Sequence, residues 1–380
     1  MQGGFCVFTG GGGGREARES RFELARVLAM LAIVAGHLFS EGHLISRATP
    51  GTLLPSLWLG CGARIATNLF ALLGCWFLAD ATRPGAPGFP LGRRWLRIHF
   101  TVLCWAGSLT IAALAMGGHP GWADAVRGFA PYFGRPLWFA SAWMSLLLFV
   151  PFLRRAQELE PRRLDALVGV GLAFFSVPST LGGFSDGYLA DTLWIFYLYV
   201  FAGWLRVRWG RGLERIPAAG ALGAALLLYA AMVLPEWWAR ANWGAAPAAR
   251  SVHAVAEGYL ADLKSAPNFL CALAWFVFFA RLRLPVLPAV NAAARPAFAV
   301  YVAYQTPAFW PLLWNRILRC PEWRVESWTP WVAVGVVAGL YAAVGVVEWA
   351  RQRWVERRVL ESRWVRRAGA ALERAVSGGR

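Results

Sequence analysis

From residue 22 to residue 349 the chain alternates long apolar runs with short polar stretches rich in arginine. The runs lie at 22–40, 56–80, 96–117, 136–153, 164–181, 188–206, 216–235, 266–282, 296–315 and 330–349. Most are close to the ~20 residues that an α-helix needs to cross ~30 Å of hydrocarbon. Strict apolar–polar alternation in ~10-residue segments, the signature of a membrane β-barrel, is absent. A helix also satisfies its own backbone polar groups where no water is at hand. The pattern therefore predicts an all-α integral membrane protein, a bundle of about ten transmembrane helices.

The polar stretches orient the bundle. Arg15, Arg18 and Arg21 precede the first run, and Arg83, Arg93 and Arg94 separate the second from the third. Arg154, Arg155, Arg162 and Arg163 follow the fourth, and Arg206, Arg208, Arg211 and Arg215 the sixth. Arg281 and Arg283 follow the eighth, and Arg351, Arg353, Arg357 and Arg358 the tenth. Every second loop is basic, which places both termini in the cytoplasm of a cell inner (plasma) membrane protein. The loop 316–326 fits less well, with Arg316, Arg319 and Arg324 set against Glu322 and Glu326. Three parts follow: a Gly-rich N-terminal extension over 1–20, expected to be disordered; a transmembrane domain over 21–350; and a basic amphipathic cytoplasmic tail over 351–380.

Composition sharpens this picture at three points. Hydrophobic residues make up 58% of the chain and charged ones 16%, too few charges to cover a soluble domain of this size. The net charge of +17 does not signal nucleic acid, because the arginines recur between apolar runs instead of forming one face. The six cysteines form no CxxC pair and no cysteine–histidine spacing of a zinc site, so no metal is expected. Phosphate loops and nucleophile elbows are also missing.

Ionisable groups inside a membrane span cost ~2.5–3.5 kcal/mol at a helix centre and need a reason to be there. The first run carries Arg26 and His37, eleven positions apart. Eleven residues make almost three turns, so both lie on one face, ~16 Å apart along the axis. Such a face suits a polar route across the membrane. Snorkelling of Arg26 and an interfacial His37 are the plainer alternatives. Asn68 is a polar residue in mid-run, suited to interhelical hydrogen bonding, and Arg64 lies one turn before it.

The segment Glu23-Leu24-Ala25-Arg26, followed by ten residues and His37, resembles the opening signature of acyltransferase family 3. These are membrane O-acyltransferases of surface polysaccharides, lipids and some antibiotics. Asn68-Leu69-Phe70 with Gly74 to Leu78, Arg94-Trp95-Leu96-Arg97-Ile98, Leu137-Trp138-Phe139, Tyr199 to Trp204 and Tyr301 to Gln305 resemble further motifs of that family in the same order. Two positions depart from it. Pro136 and Tyr304 stand where members often carry histidine.

The resemblance implies transfer of an acyl group, acetyl being the expected one, from cytoplasmic acyl-CoA to a hydroxyl of an envelope glycan or lipid-linked sugar. An alcohol needs a base to become a competent nucleophile, and a neutral imidazole is suited to that task. His37 takes this role in the expectation. Arg26 contacts the donor or steadies charge at the thioester oxygen. Arg94 and Arg97 are the expected binding residues for the phosphates of coenzyme A. Asn68 and Trp138 are the expected substrate contacts. The lipid bilayer and an envelope biosynthesis complex are the expected surroundings. A transporter or exporter of a glycan or small polar solute is the alternative, and a membrane scaffold a third reading.

Overall fold

The computed structural model describes residues 19–86, 89–129, 137–181 and 188–377. The expectations for the Gly-rich residues 1–18, with Arg15 and Arg18, and for Pro136 lie outside the described residues. Among those described, every regular element is helical. In chain order they are α1 (Ser20–Glu41), α2 (Pro50–Gly60), α3 (Ala63–Ala81), α4 (Leu91–Ala115), α5 (Trp122–Phe129), α6 (Trp138–Leu153), α7 (Pro161–Thr180) and α8 (Tyr188–Leu213). There follow α9 (Ala218–Ala241), α10 (Ala249–Ala261), α11 (Ala266–Arg281), α12 (Pro288–Ala293), α13 (Ala297–Gln305), α14 (Thr329–Arg351), α15 (Arg357–Leu360) and α16 (Arg363–Ser377).

Six of these stretches are long and apolar enough to cross a membrane, and the bent pair α10–α11 makes a seventh. The chain is thus a multi-pass helical membrane protein. Helices α7 and α8 stand where the fifth and sixth runs predict them but are not among the six. Arg162, Arg163 and Asp165 open α7, and Asp191 with Arg206 and Arg208 bracket α8.

The ninth run is corrected outright. It is not one helix over 296–315. Helix α13 ends at Gln305, a turn follows, and a π-helical segment resumes at Leu312–Ile317. The cause is Pro307, which forces the preceding Thr306 out of helical geometry, to φ −61° and ψ 118°. Unwound backbone inside a membrane protein is tolerated where it lines a cavity, and this break does so. The second run is also broken, at Cys61–Gly62, between α2 and α3.

Helix α1 runs through the middle of the bundle and packs on α2, α3, α11, α12, α13 and α14. Its most extensive contact is with α3, and Gly36 permits a close approach there. A Cβ at Gly36 would lie 2.3 Å from the Ala63 Cβ and 2.9 Å from the Gly60 carbonyl oxygen. Neither obstacle is a flexible side-chain end. Gly36→Val is therefore expected to push α1 and α3 apart at a cost of ~1–3 kcal/mol or more, read as a lowered melting temperature in detergent.

The arginine-rich helix ends gather together. Arg21 at the start of α1 donates to the Ala280 carbonyl at the end of α11 (2.5 Å). Arg281 donates to the Ile216 carbonyl just before α9 (3.0 Å). Arg206 near the end of α8 pairs with Asp80 at the end of α3 (2.7 Å). Helix α16 folds back onto the start of α4, where Glu373 accepts the Gly92 backbone N–H (2.7 Å). The tail's first turn belongs to the core: Glu356 is buried.

Candidate active site

His37 sits in the last turns of α1, in the wall of a cavity of about 930 Å³. That volume falls at the upper end of small-molecule sites, ~300–1,000 Å³. The cavity occupies the end of the bundle away from the arginine cluster. It is formed by the end of α1, the start of α3, the start of α6, the bend between α10 and α11, and the broken segment after α13.

The last two residues of α13, just before the break, hold the imidazole. The Gln305 Nε2 lies 3.1 Å from the His37 Nε2, with the amide donating. Turned over, the same amide would accept the Nε2–H and leave Nδ1 as the basic nitrogen; the choice between them is an assignment of hydrogens, not of position. Either way one side chain fixes the tautomer. The Tyr304 ring packs on the imidazole, centroids 5.3 Å apart and tilted by 50°. Tyr304 is the position where the family resemblance leads one to expect histidine, and here it serves as a wall. Pro307 and Trp310 continue that wall beyond the break.

Charged residues of the cavity are largely committed to one another. Lys264, the chain's single lysine, is buried at the α10–α11 bend and binds Asp191 (2.8 Å) and Asp262 (2.9 Å). Glu236 on α9 binds Arg240 (2.5 Å) and the His253 Nδ1 (2.7 Å). Removing a partner from such buried pairs strands a charge, so these groups shape the cavity by fixing its walls.

Arg26 lies nearer the arginine-rich end. It is buried, pairs with Glu23 one turn earlier (2.8 Å) and stands over the Phe77 ring at 5.9 Å. It lines a second, smaller cavity of about 30 Å³ with Arg295 and Gly74, room for about one water. Phe70, Phe139 and Phe298 form walls common to both cavities. Arg26 and His37 thus face two separate spaces divided by three aromatic rings.

The other expected site residues scatter. Trp138, at the start of α6, lines the His37 cavity and meets Phe139 edge to face at 5.6 Å. Asn68 is 1% exposed and is not among the described residues of the cavity wall. Its amide nitrogen donates to the Leu263 carbonyl (2.7 Å) and to the Asn268 Oδ1 (3.0 Å), and its oxygen accepts from the Trp194 indole (2.8 Å). It ties α3, α8 and α11 together. Asn68→Ala orphans these buried partners, at ~1–3 kcal/mol. The expected outcome is a lower melting temperature with an unchanged acceptor KM in the protein that remains folded.

Arg94 and Arg97 occupy the opposite end of the molecule. The Arg94 guanidinium stacks over Phe89 at 4.1 Å. Arg97 is ion-paired with Glu356, which also takes the Arg351 Nη2 (2.5 Å). Arg351 in turn binds Glu348 through Nε and Nη2, both at 2.7 Å. Sequence reasoning left Gln305 without a role and noted Arg64 only as lying one turn before Asn68. The signal for both was present only in three dimensions: Gln305 at the end of α13 meets His37 of α1, and Arg64 enters the same cavity from α3.

Among the described residues, no group of three or more His, Cys, Asp or Glu is placed to hold a metal ion. A family model described as an acyltransferase domain matches residues 19–348, which takes in α1 through most of α14. No curated protein and no solved structure matches the chain.

Proposed function

The chain belongs to acyltransferase family 3, and from that premise we propose that it is a membrane O-acyltransferase with the His37 cavity as its reaction chamber. The donor is acyl-CoA, acetyl-CoA in the first instance, supplied from the cytoplasm. The acceptor is a hydroxyl of an envelope glycan or lipid-linked sugar. The observation that carries this reading is the placement of an oriented imidazole in the wall of a substrate-sized cavity, inside a chain of this family.

The step follows from ordinary acyl-transfer chemistry. His37 takes the proton of the acceptor hydroxyl as its oxygen attacks the thioester carbonyl. The new C–O bond gives a tetrahedral intermediate. Its collapse breaks the C–S bond, and the departing thiolate recovers the proton from the imidazolium to leave as free thiol. Gln305 holds the ring's tautomer through the cycle, Tyr304 backs the imidazole, and Trp138 supplies a flat wall against which a sugar ring lies.

The reading places the arginine-rich end in the cytoplasm of the inner membrane, with ten crossings, the ninth broken at Pro307, and both termini on that side. The gathering of basic helix ends supports it. The donor's phosphates meet Arg94 at that end, and Arg97 if Glu356 releases it. The thioester arm then passes Arg26 and the rings of Phe70, Phe139 and Phe298 to reach His37. An envelope biosynthesis complex is the natural supplier of the acceptor.

The test is mass spectrometry of the glycan and lipid fraction of vesicles carrying the protein, after incubation with acetyl-CoA. A gain of one acetyl mass on the acceptor supports the proposal. Movement of an acceptor across the vesicle membrane with no mass change contradicts it and favours a transporter.

A further inference from the structure

We propose that Arg64 is the group that stabilises the oxyanion formed on the acyl carbonyl beside His37; this rests on the acyl-transfer reading above. Three observations carry it. First, among the described residues lining the cavity the Lys and Arg side chains are Arg64, Arg240 and Lys264. Arg240 is held by Glu236, and Lys264 by Asp191 and Asp262. Among the described residues no carboxylate pairs with Arg64, and its side chain is exposed to the cavity. It is the cation left with positive charge to offer a ligand.

Second, the backbone fixes Arg64 beside His37. Gly36 and Ala63, the residues immediately preceding His37 and Arg64, meet at a tight point of the α1–α3 contact. The two functional side chains therefore leave the two helices at one level and enter one cavity. Arg64, His37 and Tyr304 all line that cavity. Third, Arg26, the arginine that the sequence marks first, is already paired with Glu23 and faces the smaller cavity beyond the three phenylalanines. A thioester carbonyl close enough to His37 for attack is on the Arg64 side of those rings.

The chemistry needs such a group. As the acceptor oxygen bonds to the carbonyl carbon, the C=O electron pair moves onto oxygen and a full negative charge develops. The proton on His37 lies on the nucleophile's side and does not neutralise it. A guanidinium offers several N–H donors in a fixed plane and stays charged throughout. In a space walled by aromatic rings its attraction for the oxyanion is stronger than in water. When the C–S bond breaks the carbonyl re-forms, and Arg64 ends the cycle unchanged.

The experiment compares wild-type, Arg64→Ala and Arg64→Lys proteins in vesicles, with initial rates of acetyl transfer and folding checked by size-exclusion profile. Arg64→Ala is expected to lose ~10²–10³ in kcat with KM values for donor and acceptor near wild type, and Arg64→Lys to lose less. Methylguanidinium added to Arg64→Ala is expected to restore activity at least ~tenfold, and to leave His37→Ala inactive, because the missing group is chemical and not architectural. The inference is overturned if folded Arg64→Ala keeps a wild-type kcat, if its loss lies in KM alone, or if methylguanidinium restores nothing. Failure of the acyl-transfer reading is separate from all of these: it would show as no transfer by the wild type.

Discussion

His37→Ala is expected to lower acyl transfer by ~10²–10⁴ while leaving the protein inserted and folded. The size follows from what the imidazole does. An alcohol at neutral pH carries its proton almost all of the time, and general-base removal of that proton at the moment of attack is the step the cavity is arranged around. Stability is expected to change little. His37 is only partly buried and faces open space, with one hydrogen bond to Gln305 and one ring contact to Tyr304. His37→Gln keeps a polar group of similar reach but no basic nitrogen, and is expected to be as inactive as the alanine variant. Gln305→Ala is expected to be intermediate, since the base remains but its tautomer is no longer held. Initial rates with insertion verified by size-exclusion profile measure all three.

Glu348→Ala is expected to cause the largest loss of stability, ~3–5 kcal/mol, against a total of ~5–15 kcal/mol for a folded domain. Glu348 is 3% exposed near the end of α14. Its carboxylate accepts from the Trp105 indole (2.8 Å), from Arg351 and from the Gln352 amide (2.8 Å). Removing it leaves the Arg351 charge buried with Glu356, which already serves Arg97. Two largely buried cations then share one buried anion. Glu348→Gln retains acceptors for the indole and is expected to fall between. The double replacement Glu348→Leu with Arg351→Leu is expected to cost less than Glu348→Ala alone, because the stranded charge goes with its partner. Melting temperatures in one detergent, for all four proteins, decide the order.

Much of the fold was legible because membrane helices announce themselves by length and apolarity: eight of the ten predicted runs each coincide with one helix, and the second and ninth are broken. What was not legible depends on contacts between distant segments. The ninth run looked continuous because its composition is apolar on both sides of Pro307. The proline was visible, but that its break faces a cavity beside His37 was not. Arg97 matched a motif and an arginine-rich loop equally well, and nothing in the sequence linked it to Glu356, 259 positions away. Asn68 was readable as an interhelical bridge or as a substrate contact. Its three hydrogen bonds account for the first. The Arg26–His37 spacing suggested one polar route along α1, but the two side chains line separate cavities. The phenylalanine wall that divides their surroundings comes from α3, α6 and α13, and no local pattern marks it.

The most direct test of acyl transfer at His37 uses inverted vesicles supplied with acetyl-labelled acetyl-CoA, counting free coenzyme A thiol and base-labile label on the acceptor fraction together. The account predicts one thiol released for each label bound in the wild type, and neither in folded His37→Ala. Equal labelling by wild type and His37→Ala would contradict it.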